Sequence, residues 1–272
     1  MLLIDMNRID WSTLCRNPHP RTIALLRANP DKIDWMLLSG NPHPDIIAML
    51  CANQDKIDWW VLNVNTNPDA IALLRANPDR IDWHMLSLNT HPDAIAMLRA
   101  NQDKIDWVQL SRTPHPDAIA LLHANPDKIN WWALSWNAHT DAIAMLRTNP
   151  DRIDWRWLSV NEHPAAIALL HANPERIYWT HLSGNKHPDA IAMLRANLDR
   201  IDWSWLSLNT HSDAIALLRE NPERINWREL SRNPTLFTSD PVFYRANIDR
   251  MTKLLTQMRI KDESSCDFCL KK

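Results

Sequence analysis

The feature that most constrains this chain is a tryptophan that recurs every 24 residues, ten times, without an insertion or deletion. An isoleucine stands two residues before each of these tryptophans, and a leucine stands three residues after it. A fixed period of this length is the signature of a repeat architecture. We call these residues the ladder tryptophans; they are Trp11, Trp35, Trp59, Trp83, Trp107, Trp131, Trp155, Trp179, Trp203 and Trp227.

Residues 83–106 show how one repeat is built from two short apolar segments. Pro92 suits the first turn of a helix, and Asp93 complements the positive end of its dipole. Asp82 is placed as the N-cap of the other segment, and Asn101 as a stop in left-handed geometry. The links between segments, such as residues 77–82, favour a 3-10 turn. Each segment is predicted to be a helix of about eight to ten residues, too short to be stable alone.

Helices of this length must bury their apolar stripes against the next copy, which predicts an all-α solenoid of about ten two-helix repeats. The array is predicted to cover residues 1–232. Residues 244–251 echo the repeat, but Lys253 stands where the tryptophan would be. Residues 233–272 are therefore predicted to be a degenerate capping repeat followed by a polar tail.

Composition disfavours several classes of function. Two glycines cannot supply a Gly-rich phosphate-binding loop. The chain has 30 basic and 32 acidic residues, a balance that disfavours binding to nucleic acid by bulk charge. Four cysteines in 272 residues make no disulfide framework and favour a reducing compartment inside the cell. We expect neither secretion nor a membrane partner, since no apolar run has the length of a signal or a span.

The phrase Asn-Pro-Asp-Lys/Arg-Ile-Asp-Trp-x-x-Leu-Ser-x-Asn, repeated across residues 1–232, carries a resemblance to known repeat proteins. Its period and two short helical segments resemble the leucine-rich-variant family, whose right-handed superhelices alternate α- and 3-10 helices. The phrase is closer still to tandem-repeat proteins encoded by large DNA viruses. The resemblance implies a right-handed solenoid, located in the host cytoplasm or a viral factory if the chain is viral. No cofactor is implied, because nothing matches the four-cysteine iron–sulfur module of some leucine-rich-variant proteins.

The candidates for function are the positions that vary inside this constant frame. They lie one, two and five residues after each ladder tryptophan, and we call them variable columns one, two and five. Columns one and five should face one way, off the core stripe. All five tryptophans outside the ladder fall in these columns, and exposed tryptophan is a favoured interface residue. The predicted partner-binding residues are Met36, Trp60, His84, Trp132, Trp136, Arg156, Trp157, Trp205 and Arg228. The alternative is that columns one or two are half-buried and merely packed.

A histidine also recurs, about once per repeat, before the proline-led segment. Neighbouring repeats lie roughly 8–10 Å apart, whereas metal–nitrogen bonds are about 2 Å long. We therefore expect no shared metal, and interpret the histidines as caps or inter-repeat hydrogen-bonding groups. They are His19, His43, His91, His115, His139, His163, His187 and His211.

The remaining patterns indicate architecture more than chemistry. A basic residue three positions before each ladder tryptophan alternates with acidic residues, which is typical of a solvated surface and not of a phosphate track. Cys266 and Cys269 lack further zinc ligands, which leaves free thiols or zinc shared in a dimer. The serines recur at one position of the repeat, which indicates an architectural role, because an active site needs a single place that differs from the others. No catalytic residues are therefore proposed. The sequence thus favours a non-enzymatic scaffold that binds a protein partner; the alternatives are a structural component of a viral particle or factory, or a nucleic-acid-binding solenoid.

Overall fold

A computed structural model describes residues 9–237 of the chain. Within that range the chain forms nineteen α-helices and no β-strand, which confirms the predicted all-α class. Contacts divide the chain into two compact units, one ending at Ala142 and one beginning at Ile143, and each is described by itself. The predicted cap and tail beyond residue 237, with Lys253, Cys266 and Cys269, lie outside the described residues.

The first helix of each repeat begins at the ladder tryptophan and has four to six residues, shorter than predicted. It ends early because an asparagine six residues after the tryptophan turns the chain toward the preceding repeat: Asn41 donates its side-chain amide to the Cys15 carbonyl. These helices are α1 (Trp11–Arg16), α3 (Trp35–Ser39), α5 (Trp59–Leu62), α7 (Trp83–Leu86), α9 (Trp107–Arg112), α11 (Trp131–Ser135), α13 (Trp155–Leu158), α15 (Trp179–Ser183), α17 (Trp203–Leu208) and α19 (Trp227–Leu230).

The second helix of each repeat has eight or nine residues, as predicted, and most begin at a proline. These helices are α2 (Pro20–Ala28), α4 (Pro44–Cys51), α6 (Pro68–Ala76), α8 (Pro92–Ala100), α10 (Pro116–Ala124), α12 (Thr140–Thr148), α14 (Pro164–His171), α16 (Pro188–Arg195) and α18 (Ser212–Glu220). A three-residue 3-10 turn such as Pro78–Arg80 follows each of them, which confirms the predicted link.

Repeats pack neighbour to neighbour inside each unit. In the first unit α1 packs on α3 and α3 on α5, while the second helices stack from α4 to α6 to α8. In the second unit α15 packs on α17 and α17 on α19, and α14, α16 and α18 stack in the same order. Each unit is therefore a helical solenoid with a period of 24 residues, carrying tryptophan and proline at regular positions.

The leucines of the frame form the centre of the core. Leu62, Leu86 and Leu206 are fully buried, and burial of such a side chain stabilises the fold by about 1.5–3 kcal/mol. The ladder tryptophans are only half-buried. At four of them, Trp35, Trp59, Trp83 and Trp179, a cation from the 3-10 turn after the second helix of the same repeat lies over the indole: Lys104 Nζ is 5.0 Å from the ring centroid of Trp83.

A row of buried asparagines joins consecutive repeats. Asn89 donates its amide to the carbonyl oxygens of Asn63 and Asn65 in the preceding repeat, at 2.8 and 3.1 Å. Its own side-chain oxygen accepts the backbone N–H of His91 at 2.8 Å. Asn185 and Asn209 make the same bonds to the preceding repeat in the second unit. The row therefore satisfies backbone groups that repeat stacking removes from water.

The recurring serines have a similar architectural role. Ser87 donates its hydroxyl to the Trp83 carbonyl, four residues earlier in the same helix, at 2.7 Å. The same oxygen accepts, at 3.0 Å, the backbone N–H of Asp106, which caps the first helix of the next repeat. Asn63 stands at the equivalent position and makes both bonds with its amide. The serine position thus ties the end of one repeat's first helix to the start of the next.

Capping residues set the helix ends, mostly as predicted. Asp82 accepts the N–H of Met85 at 3.0 Å and begins α7. His91 Nδ1 accepts the N–H of Asp93 at 3.1 Å and begins α8, so the cap interpretation of the histidines is confirmed. The left-handed stop at Asn101 is wrong: its φ is -135°, and no residue in the described range has a positive φ. Asn101 instead ends the helix by donating its amide to the Met97 carbonyl.

Helices of the described segment, residues 9–237, are all too short or too polar to cross a lipid bilayer.

Candidate interaction surface

Variable column one lies on the outside of the first helices. An N-cap aspartate or asparagine marks where most of these helices begin, and the residue after the ladder tryptophan then points away from the leucine core. Met36 and Trp60 are 51% and 56% exposed. Trp132 is also exposed, and His84, Arg156 and Arg228 lie on the surface as well. Column one therefore remains available for contact with another molecule.

Variable column two is mostly packed against the neighbouring repeat. Met85 and Ala133 are buried, and Trp157 is half-buried. Trp205 is 51% exposed, yet one edge of its indole covers Gly184, where an added Cβ would meet the ring at 3.2 Å. Most side chains of column two are therefore buried or half-buried, as the alternative interpretation expected, whereas the Trp205 indole is largely exposed.

The column-five residue of one repeat lies next to the column-one and column-two residues of the following repeat. Where the column-five side chain is small, a pocket remains between them. At Gly40 the column-two residue of the next repeat is Val61, which leaves a pocket of about 300 Å³. Met36 and Leu37 also line it, and Arg16 lies at its edge. An apolar hollow beside a guanidinium suits a ligand that combines an apolar group with an anion.

In the first unit an arginine stacks on an exposed tryptophan. The Arg112 guanidinium lies 4.4 Å from the ring centroid of Trp136, which is 41% exposed. Arg112 ends α9, and Trp136 follows α11, whose Trp132 is 43% exposed. The structure therefore brings together two of the predicted binding residues and an arginine that the prediction did not include.

In the second unit a cluster surrounds His181. Arg156 donates its Nε–H to His181 Nε2 at 3.0 Å and lies 5.8 Å from the Trp157 ring centroid. The His181 ring meets the edges of Trp157 and Tyr178, with centroids 6.5 and 6.2 Å apart. Burial, and then the positive charge of Arg156, lower the pKa of His181. His181 Nδ1, which must carry the proton of the neutral ring, is buried without a hydrogen-bond partner in the described part of the chain.

Tyr178 is the residue of this cluster that sequence analysis missed. It occupies the N-cap position held elsewhere by Asp or Asn and makes no capping hydrogen bond. Its side chain is 52% exposed. The signal was available, because it is the one aromatic residue at the position before a ladder tryptophan. A departure from the frame that removes a cap is typical of a functional position.

The remaining predicted binding residues stand apart from these clusters. His84 Nδ1 lies 2.6 Å from the carboxylate of Asp106, which caps the first helix of the next repeat. Burial opposes ionisation of Asp106, but hydrogen bonds from Gln109, His84 and Val108 prevail and lower its pKa. Arg228 is exposed on α19 and has no carboxylate partner in the described range. His84 thus connects two repeats, whereas Arg228 is open to solvent.

A second concave surface lies between the second helices and the ladder tryptophans. In the second unit this groove has a volume of about 760 Å³, and Trp179, Met193 and Arg200 help line it. In the first unit the equivalent Trp35, Met49 and Lys56 line a groove of about 330 Å³. Both grooves are lined by residues of the constant frame, so they recur with the architecture and do not distinguish one repeat from another.

No three His, Cys, Asp or Glu side chains converge as metal ligands anywhere in residues 9–237. The histidines that recur before the second helices use Nδ1 to cap those helices, as His91 and His187 do. Comparison with protein-family models, curated proteins and solved structures finds no match to this chain. Its function must therefore be argued from the surface itself.

Proposed function

We propose that the protein is a non-enzymatic repeat scaffold that binds another protein through its variable columns. One observation carries this proposal. Of eight large hydrophobic side chains that are exposed in the described range, six belong to the variable columns: Met36, Trp60, Trp132, Trp136, Trp205 and Leu208. Exposed apolar groups of this kind mark interaction sites, since a protein without a partner gains stability by burying them.

The experiment compares partner capture by the full-length wild-type chain and the variant Trp132→Ala/Trp136→Ala. Leu198→Ala is the control, because Leu198 is 43% exposed, like Trp132, but lies in a 3-10 turn outside the variable columns. We expect quantitative mass spectrometry to show a discrete protein captured by the wild type and the control and lost from the double variant. Circular dichroism should show the same helix content in all three. An identical set of captured proteins for all three chains would contradict the proposal.

The resemblance to tandem-repeat proteins of large DNA viruses supports a right-handed, leucine-rich-variant-like scaffold acting inside the cell, in the host cytoplasm or a viral factory. The same capture separates the two alternatives. Recovery only together with assembled particles would favour a structural component of the particle or factory. Capture that disappears on nuclease treatment would favour a nucleic-acid-binding solenoid.

A further inference from the structure

The variable columns differ from the rest of the chain in charge. They contain five arginines, no lysine and a single acidic residue, Glu229, while the whole chain has a formal net charge of -2. Glu229 pairs with Arg232 at 2.9 Å. The other four arginines have no carboxylate partner among residues 9–237; they are Arg16, Arg112, Arg156 and Arg228.

Some arginines on the second helices do have carboxylate partners. Arg27 pairs with Asp45 of the following repeat at 3.4 Å, and Arg99 pairs with Asp117 at 3.7 Å. Arg27 and Arg99 are thus neutralised by the following repeat, whereas the four arginines of the variable columns are not. Since acidic residues are abundant in the chain, their near-absence from the variable columns is a property of that surface.

In the first unit the two uncompensated arginines lie beside apolar groups. Arg112 stacks on Trp136, and Arg16 borders the pocket formed by Met36, Gly40 and Val61. Stacking on an indole holds the guanidinium plane while its outer N–H groups stay free to bind a carboxylate in two-point fashion. The neighbouring hollow and the exposed indoles accept apolar side chains.

We infer that the variable columns of the first unit bind an acidic peptide segment of a partner protein, with carboxylates on Arg16 and Arg112 and apolar side chains against the exposed tryptophans and in the Gly40 pocket. This inference rests on the proposed function and specifies its partner. A single-stranded nucleic acid fits less well. It would need a cation and a stacking platform at successive steps, and no arginine occurs in these columns between Arg16 and Arg112.

The test is selection of peptides from a random displayed library on the full-length chain, followed by fluorescence anisotropy with the selected peptides. We expect selected sequences to be enriched in Asp and Glu beside Leu, Phe or Trp. Replacing their acidic residues with Asn and Gln should weaken binding at least about tenfold, as expected for loss of a charge-assisted hydrogen bond.

Variants of the chain locate the site. Arg16→Gln and Arg112→Gln should each weaken binding about tenfold. Arg112→Lys should restore it only in part, because lysine keeps the charge but loses the planar two-point geometry. The matched control Arg27→Gln removes a cation that is already paired and should leave binding unchanged.

The outcomes separate the inference from the proposed function. Selected peptides without acidic enrichment that still lose binding in Trp132→Ala/Trp136→Ala overturn the inference and leave the scaffold proposal standing. Peptides insensitive to both the arginine and the tryptophan variants, or no selected peptide at all, overturn both. Tighter binding of an oligouridylate than of the best acidic peptide overturns the inference in favour of nucleic acid.

Discussion

At the scale of single residues, the polar side chains of the frame matter as much as the apolar ones. Asn89 is 1% exposed, donates its side-chain amide to two backbone carbonyls of the preceding repeat and accepts one backbone N–H of its own repeat. Thr113 holds the equivalent position one repeat later and donates its hydroxyl to the Ser87 carbonyl at 3.0 Å. The chain thus shows how both an asparagine and a threonine bond at this position of the repeat.

Asn89→Ala should destabilise the protein by about 3 kcal/mol, because it leaves buried carbonyl and N–H groups unpaired. Asn89→Thr should lose less, since the hydroxyl can replace one donor as it does at residue 113. Urea denaturation followed by circular dichroism measures both. Equal midpoints for the alanine and threonine variants would show that the hydrogen bonds do not account for the effect.

The environment of His181 gives a second prediction at this scale. Burial and the Arg156 charge lower its pKa in the folded state, so the unfolded chain binds the proton first as the pH falls. The stability contributed by neutral His181 is therefore present above the ordinary histidine pKa and is lost on acidification below it. Arg156→Gln should raise the His181 pKa in an NMR titration of the imidazole. An unchanged titration curve would remove Arg156 as a cause.

At the scale of elements, nearly every first helix begins at a side chain that caps it. Asp154 and Asp202 accept backbone N–H groups at the beginning of α13 and α17. Tyr178 makes no such bond at the beginning of α15 and instead meets His181. This helix has therefore lost a stabilising cap at a place where an aromatic side chain is exposed.

Tyr178→Asp should stabilise the protein by about 1 kcal/mol, because it restores an N-cap of the kind found in neighbouring repeats. Thermal denaturation measures the gain, and Tyr178→Phe serves as the control that keeps the aromatic ring without adding a cap. If the cluster around His181 binds a partner, the aspartate variant should also bind it more weakly. A stability no higher than that of the phenylalanine variant would contradict the capping argument.

At the scale of the whole molecule, stability is distributed along a line of repeats, each held by its neighbours. Leu86 is fully buried inside one repeat of the first unit. Leu86→Ala should remove about 2–5 kcal/mol from that repeat. Hydrogen exchange should then rise most in α7 and the helices that adjoin it and least in α1 of the same unit. A uniform rise across the first unit would indicate a single cooperative block.

Features of the fold could be predicted from the sequence where the interacting groups lie close together along the chain. Asp82, Pro92 and His91 act on groups two or three residues away, so their capping roles and the helix starts could be inferred from local spacing. The early end of the first helices could not, because the asparagines that cause it bond to carbonyls 24 and 26 residues earlier. The same holds for Arg112, whose stacking on Trp136 appears only when repeats are adjacent in space.

The sequence alone therefore determined the period, the all-α class, the caps and the positions that vary, since each depends on chain-local geometry or on counting. The tertiary structure decided which of those positions reach solvent. Column one stays exposed and most of column two is packed because the next repeat covers one side of each short helix and not the other. It also decided that four of the half-buried ladder indoles lie under a cation from the far end of their own repeat, a contact that arises only when the two helices of the repeat fold together.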